Sequence, residues 1–154
     1  MLDNFMQDDW FYIPCQPQSK EPYFKYAPKA INSSKQGLEH VIKWLEEGLN
    51  VGIHCQKSNL VVFDVDFRNG GSPDTLPETL TVKTGDGYHY YYYASPDQSF
   101  SGKHSQGIDI KHKGYVVAPP SIHPSGVAYE LFNDHPITVW SPEYARDRKS
   151  TRLN

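Results

Sequence analysis

An α+β domain is the fold class this sequence predicts, and three observations predict it. One amphipathic helical pattern occurs early, over residues 35–47. From Asn50 onward the apolar residues recur at every second position, the period of a strand. Hairpin-sized turns join these strands, so the sheet is expected to be mainly antiparallel and covered on one face.

Each element has its own justification. Residues 1–32 are interrupted by Pro14, Pro17, Pro22 and Pro28, so only a short strand or anchoring patch is expected, at residues 10–13. Ser33 or Ser34 offers an N-cap to the helix. Leu38, Val41, Ile42 and Leu45 fall on one helical face, and Gly48 supplies the stop. Residues 51–55 and 60–66 read as strands paired in a hairpin across Gln56-Lys57-Ser58-Asn59. A Gly/Pro-rich loop follows over 67–77. A second hairpin, 80–84 with 88–94, turns at Gly85-Asp86-Gly87, where Asp-Gly is a strong turn signal. Residues 96–106 are a polar connection, and 108–111, 115–118 and 127–132 complete the strands.

At 154 residues the chain fits one domain with a real core. Its longest apolar runs are strand-sized, far short of the roughly 20 residues of a membrane span. Asp3, Asp8 and Asp9 stand where a secretory signal would carry basic residues. Cys15 and Cys55 have neither disulfide-framework nor zinc spacing, so they read as reduced thiols of a cytoplasmic protein.

The C-terminus stands apart. Asp147-Arg148-Lys149-Ser150-Thr151-Arg152-Leu153-Asn154 is the in-frame translation of GAT CGG AAG AGC ACA CGT CTG AAC, a sequencing-library adapter. The expected native domain is therefore residues 1–146, cut short by adapter at 147–154. Without the one acid and three bases of that tail, net charge moves from −3 to about −5. A surplus of acid works against unaided binding to nucleic acid, so local lysines and metal ions would have to compensate.

The chemistry begins in Leu60-Val61-Val62-Phe63-Asp64-Val65-Asp66. Side chains two apart on a strand share a face, so Asp64 and Asp66 emerge together. Two neighbouring anions repel and are costly on a buried strand unless a cation joins them. Hard carboxylate oxygens suit Mg²⁺ or Mn²⁺. A third acid, Asp109, lies in Gly107-Ile108-Asp109-Ile110-Lys111 and points away from both isoleucines, with Lys111. Three carboxylates can hold two divalent cations about 3.5–4 Å apart. His89 follows a turn rich in backbone N–H groups, a setting that receives phosphate. Tyr91 and Tyr93 share its face, and the tyrosines read as core and sheet surface, with base stacking as the alternative. Acid pair, histidine and single acid point to metal-assisted phosphoryl or nucleotidyl transfer. In Ala118-Pro119-Pro120-Ser121-Ile122-His123 the prolines make a stiff exit. Ser121 and His123 are there either to bond nucleotide phosphate or sugar, or as incidental groups on a rigid turn.

These residues carry a resemblance. Asn50-Val51-Gly52-Ile53 leading into Val62–Asp66, Thr84 to His89, Gly107-Ile108-Asp109, and above all Gly114 to Gly126 are similar to the bifunctional DNA primase/polymerase N-terminal domain of the archaeo-eukaryotic primase superfamily. Lys20 followed by Pro22 matches the same pattern, and the resemblance runs from about Trp10 through Trp140. It implies a small α/β module joined to an RRM-like sheet, with the active site between them. It implies Asp64, Asp66 and Asp109 as metal-binding catalytic acids and His89 as a contact to the incoming triphosphate. The implied activity is making or extending primers from nucleoside triphosphates on single-stranded DNA, commonly for plasmids, phages and other mobile elements. A helicase is expected in the missing downstream part. One departure stands out: Asp86-Gly87-Tyr88 replaces the usual two glycines and basic residue before the histidine, and Lys83 or Lys111 is expected to supply the missing charge.

Two rival readings compete. A nucleotide- or single-strand-binding module of weakened catalysis would suit Asp86, Tyr88 and the negative charge. A haloacid-dehalogenase-like phosphatase also uses Asp-x-Asp, but needs a parallel sheet and a late acidic motif.

Overall fold

A computed structural model of the chain describes residues 5–23 and 37–141. The expected caps Ser33 and Ser34, and the adapter-like tail, lie outside the described residues. In chain order the elements are β1 (Tyr12–Cys15), α1 (Leu38–Glu46), β2 (Asn50–His54), β3 (Leu60–Asp66), β4 (Thr81–Lys83) and β5 (Gly87–Tyr93). Then follow β6 (Lys103–Ser105), β7 (Ile108–Lys111), β8 (Tyr115–Ala118), β9 (Glu130–Leu131) and β10 (Thr138–Val139). Helix α1 with mostly antiparallel strands, among the described residues, makes this an α+β fold.

The strands form two sheets. Three strands run β1-β2-β8; the larger, seven-stranded sheet runs β6-β7-β3-β5-β4-β9, with β10 parallel to the end of β5. The expected hairpin of residues 51–66 is therefore corrected: β2 pairs with β1 and β8, whereas β3 pairs with β5 and β7. A 3-10 turn at Gln56–Ser58, closed by Asn59 at a φ of 60°, carries the chain from one sheet to the other. The second crossing, between β7 and β8, runs beside the first. Cys55 N–H donates to the Gly114 carbonyl at 2.9 Å and Gln56 N–H to the His112 carbonyl at 2.7 Å. This pair of crossings is the joint between the sheets. By contrast, β4 and β5 form the expected hairpin, and Gly85 to Gly87 is its turn.

Helix α1 stops where expected, at Gly48 with a φ of +83°. Its buried face differs from the expected one: Val41 and Trp44 are buried, Leu38 and Leu45 pack at the edge, and Ile42 is 58 % exposed. The main core lies between α1 with the small sheet and one face of the large sheet, joining Trp44, Val51 and Ile53 to Leu60, Val62 and Tyr91. Each such side chain, fully buried, contributes about 1.5–3 kcal/mol. A second core on the opposite face gathers Val61, Phe63, Val65, Tyr92 and Trp140. Strands β3 and β5 are thus covered on both faces at their apolar end. That is why the tyrosine run shows so little alternation: Tyr91 and Tyr92 are both buried, one in each core.

On the first face of β3, the apolar residues Leu60 and Val62 occupy one end and Asp64 and Asp66 the other. The sheets are glued together at the apolar end and leave the acidic end open.

Candidate active site

Register places the polar residues in one row. Asp64 on β3 stands directly opposite Asp109 on β7 and His89 on β5, and Lys103 on β6 is opposite Asp109. The adjacent row runs Lys111, Val62, Tyr91. Residues directly opposite on antiparallel strands have their Cβ atoms about 4.5–5.5 Å apart, so Asp64 and Asp109 face each other as like charges. His89 offsets one of them, its Nε2 lying 3.5 Å from Asp64 Oδ1. The His89 Nδ1 is buried and has no hydrogen-bond partner among the described residues. Burial works against ionisation of Asp64. The hydrogen bond and charge of His89, with Lys111 and Lys20, outweigh it and hold the carboxyl below its ordinary range.

Two cavities open on this row, and Asp64 is a wall of both. The acidic cavity, about 350 Å³, is lined by Asp64, Asp66 and Asp109 with Asn69, Lys103 and Gln106. The basic cavity, about 340 Å³, is lined by Asp64, His89, Lys111 and Lys20 with Tyr115 and Tyr129. Gly107 shapes the acidic cavity. It has a φ of +73°, and a Cβ there would lie 2.2 Å from the Gly71 backbone nitrogen. Only glycine lets the two loops meet, and the Gly107 carbonyl then accepts the Asp66 N–H at 2.8 Å.

Asp66 is the most constrained of the acids. Its carboxylate accepts the Arg68 N–H at 3.0 Å and the Asn69 side-chain amide at 2.7 Å. Each carboxylate oxygen keeps a further lone pair, so these bonds orient Asp66 without exhausting it. Among the described residues no group of three or more His, Cys, Asp or Glu side chains is close enough to hold a metal ion. The donor chemistry nonetheless fits a hard cation: three carboxylates line one cavity, two of them facing each other across a strand pair.

Five of the expected site residues are brought together at these cavities: Asp64, Asp66, Asp109, His89 and Lys111. Three are not. Lys83 neighbours Val82, which shares the row of His89, so Lys83 leaves the opposite face beside Tyr88. The Ser121 hydroxyl is buried and occupied in the small sheet, accepting the Val51 N–H at 2.8 Å and donating to the Val51 carbonyl at 3.2 Å. His123 sits over the β4–β5 turn, where its ring takes the space a Gly85 side chain would fill. Its Nδ1 accepts the Ser125 N–H at 3.0 Å, and its Nε2 lies 3.6 Å from Asp86. Burial, with Lys20, Arg68 and His89 nearby, lowers the His123 pKa, and Asp86 only partly opposes them.

The turn before His89 also differs from the expected phosphate cradle. The Thr84 hydroxyl accepts the Gly87 N–H at 3.0 Å and the Asp86 N–H at 3.4 Å. Asp86, the departure from the family pattern, is paired with Arg68 at 3.0 Å. Its charge is thereby turned toward Arg68 and His123.

Sequence reasoning missed the placement of Lys20, Tyr129 and Lys103. The one sequence signal at Lys20 is its spacing to Pro22; Tyr129 and Lys103 carry no local signal. No helix among the described residues is long and apolar enough to cross a membrane.

No curated protein matches the chain. Residues 3–144, however, match the family model described as bifunctional DNA primase/polymerase, N-terminal. That match ends before the adapter-like tail. It spans both sheets and both cavities, and the chain belongs to the family of bifunctional DNA primase/polymerase N-terminal domains, primase/polymerase-type nucleotidyltransferases.

Proposed function

We propose that residues 1–146 form the catalytic domain of a template-directed nucleotidyltransferase that makes or extends primers from nucleoside triphosphates on single-stranded DNA. The observation that carries this reading is Asp64 as the common wall of an acidic and a basic cavity. A nucleotidyl transfer needs that adjacency: cation-binding acids on one side of the reacting phosphate and anion-binding groups on the other.

Asp64, Asp66 and Asp109 would hold Mg²⁺ or Mn²⁺. A metal pair supplies a lowered pKa for the attacking primer 3′-hydroxyl and charge neutralisation for the departing pyrophosphate. The chain's own groups do the rest. His89 and Lys111 bind the triphosphate at the border of the two cavities. The Arg68 N–H and Asn69 hold Asp66 in orientation. Fixed charges in a preformed cleft contribute through positioning and electrostatics. Plasmid, phage or other mobile-element replication is the setting the family suggests.

The phosphatase rival loses its premise, because both neighbours of β3 are antiparallel to it. The weakened-binder rival rests on Asp86, Tyr88 and the negative charge; Arg68 meets the charge of Asp86, and nucleotide binding without incorporation would favour this rival. The test is extension of a labelled primer–template by the chain with dNTPs and Mg²⁺ or Mn²⁺. The wild-type chain should extend, and Asp64→Ala should not, while keeping its thermal unfolding transition. Undiminished extension by Asp64→Ala would remove the assignment.

A further inference from the structure

The basic cavity is built from both sheets, and Lys20 is its contribution from the N-terminal loop. That loop is held at several points. The Tyr115 hydroxyl donates to the Lys20 carbonyl at 2.6 Å, and the Asn50 side-chain amide donates to the Ser19 carbonyl at 3.0 Å. The Gln18 side chain reaches the Pro124 carbonyl at 3.1 Å, and Gln16 N–H donates to the Glu21 carbonyl at 2.8 Å. An exposed loop with one lysine needs none of this to be soluble; the bonds fix where the lysine emerges.

Lys111 lines the same cavity, with His89 on the large sheet, whose buried Nδ1 has no hydrogen-bond partner among the described residues. Neither lysine has an ion-pair partner among the described residues. Two ammonium groups lining one cavity repel, and Asp64 is the one carboxylate on its wall. The missing counter-charge is a polyanion. A monophosphate concentrates its charge on one group, whereas a triphosphate carries charge along a chain that can meet two ammonium groups at once.

We propose that Lys20 is a phosphate-binding residue that grips the outer phosphates of the nucleoside triphosphate opposite Lys111, so that the bound nucleotide ties the two sheets together. This rests on the nucleotide-binding reading of the same cavity. Two consequences follow. Lys20 contributes more to triphosphate than to monophosphate binding, and triphosphate stabilises the fold by linkage through the inter-sheet contact.

The experiment is titration of dATP and dAMP, with Mg²⁺, into the wild-type chain and the Lys20→Ala, Lys20→Arg and Lys113→Ala variants, with thermal unfolding read in parallel. Lys20→Ala should weaken dATP binding roughly ten- to hundred-fold, the range for charge-assisted hydrogen bonds, and change dAMP binding far less. It should also lose most of the dATP-induced rise in Tm while keeping the nucleotide-free Tm. Lys20→Arg should recover much of the affinity, and Lys113→Ala, a surface lysine outside the cavity, should match wild type. Equal dATP affinity in wild type and Lys20→Ala overturns the role of Lys20 and leaves the nucleotide site standing. Absence of dATP binding to the wild-type chain overturns the nucleotide reading itself.

Discussion

The two cavities that share Asp64 are built in different ways. The acidic one belongs to a single sheet: its three carboxylates come from β3 and β7, and their common direction follows from strand register. A one-residue slip of β3 would turn Asp64 and Asp66 to the opposite face, away from Asp109. The basic one is assembled across two sheets, from His89 and Lys111 on one side and Lys20 and Tyr115 on the other. Its shape depends on the joint where the Gly114 and His112 carbonyls accept N–H groups of Cys55 and Gln56. The acidic side is thus encoded locally, and the basic side by tertiary assembly. Damage to the first should abolish turnover with the fold intact. Damage to the second should act on nucleotide affinity.

Asp109→Asn presses hardest on that division. Asp109 is exposed and faces Asp64 across the strand pair, so losing its charge removes a repulsion. We expect extension to fall roughly 10²–10³-fold, the scale for removing one preorganised electrostatic group. Stability should stay level or rise by about 0.2–1 kcal/mol. Extension rate and Tm, measured on the same preparation, check both halves. A large drop in Tm would show that Asp109 holds the sheet together, and the acidic cavity would lose its claim to be purely chemical.

The same division explains what could be read from sequence alone. Asp64, Asp66 and Asp109 were legible because alternation on a strand fixes direction, and apolar neighbours at 61, 63, 65, 108 and 110 declare which way is in. The β4–β5 hairpin was legible because Gly85-Asp86-Gly87 demands a tight turn. The pairing of β2 was not. Val51, Ile53 and Cys55 are buried, and so are Leu60 to Phe63, so little in their pattern says which strand each joins. The partners of β2 are β1, far upstream, and β8, some sixty residues downstream. Ser121 misled for a related reason: a hydroxyl beside two prolines looks available until a buried backbone, here that of Val51, claims it. Ile42 falls outside the buried face and Trp44 inside it because α1 is turned about its axis toward Trp44, away from the face its aliphatic residues define. Lys20 could not be located at all, since its place in the cavity comes from Tyr115 and Asn50, far away in sequence.

Tyr115→Phe probes the assembled half with a smaller change. The variant removes the hydroxyl that holds the Lys20 carbonyl and leaves the ring on the cavity wall. A hydrogen bond of this kind contributes about 0.5–1.5 kcal/mol, so the KM for dNTP should rise about two- to tenfold with kcat little changed. Steady-state extension kinetics distinguish the outcomes. If kcat falls and KM does not, the Lys20 loop serves the chemical step, and the separation between the two halves is less clean than their construction suggests.

Tyr91→Phe should have the gentlest effect, and it tests the core beside the row of Asp64 and His89. Tyr91 occupies the row next to Asp64 and His89, opposite Val62, with its ring against Phe5 and Trp10. Its hydroxyl is buried with no hydrogen-bond partner among the described residues, and burial pushes its pKa well up, keeping it neutral. An unsatisfied buried hydroxyl costs about 1–3 kcal/mol, whereas phenylalanine fills the same space without that cost. Tyr91→Phe should therefore unfold at higher denaturant concentration by about 1 kcal/mol and extend primers at the wild-type rate. A loss of stability would reveal a partner for the hydroxyl outside the described residues. A loss of activity at unchanged stability would mean that the hydroxyl acts upward on His89, making the apolar end of the cleft part of the site it supports.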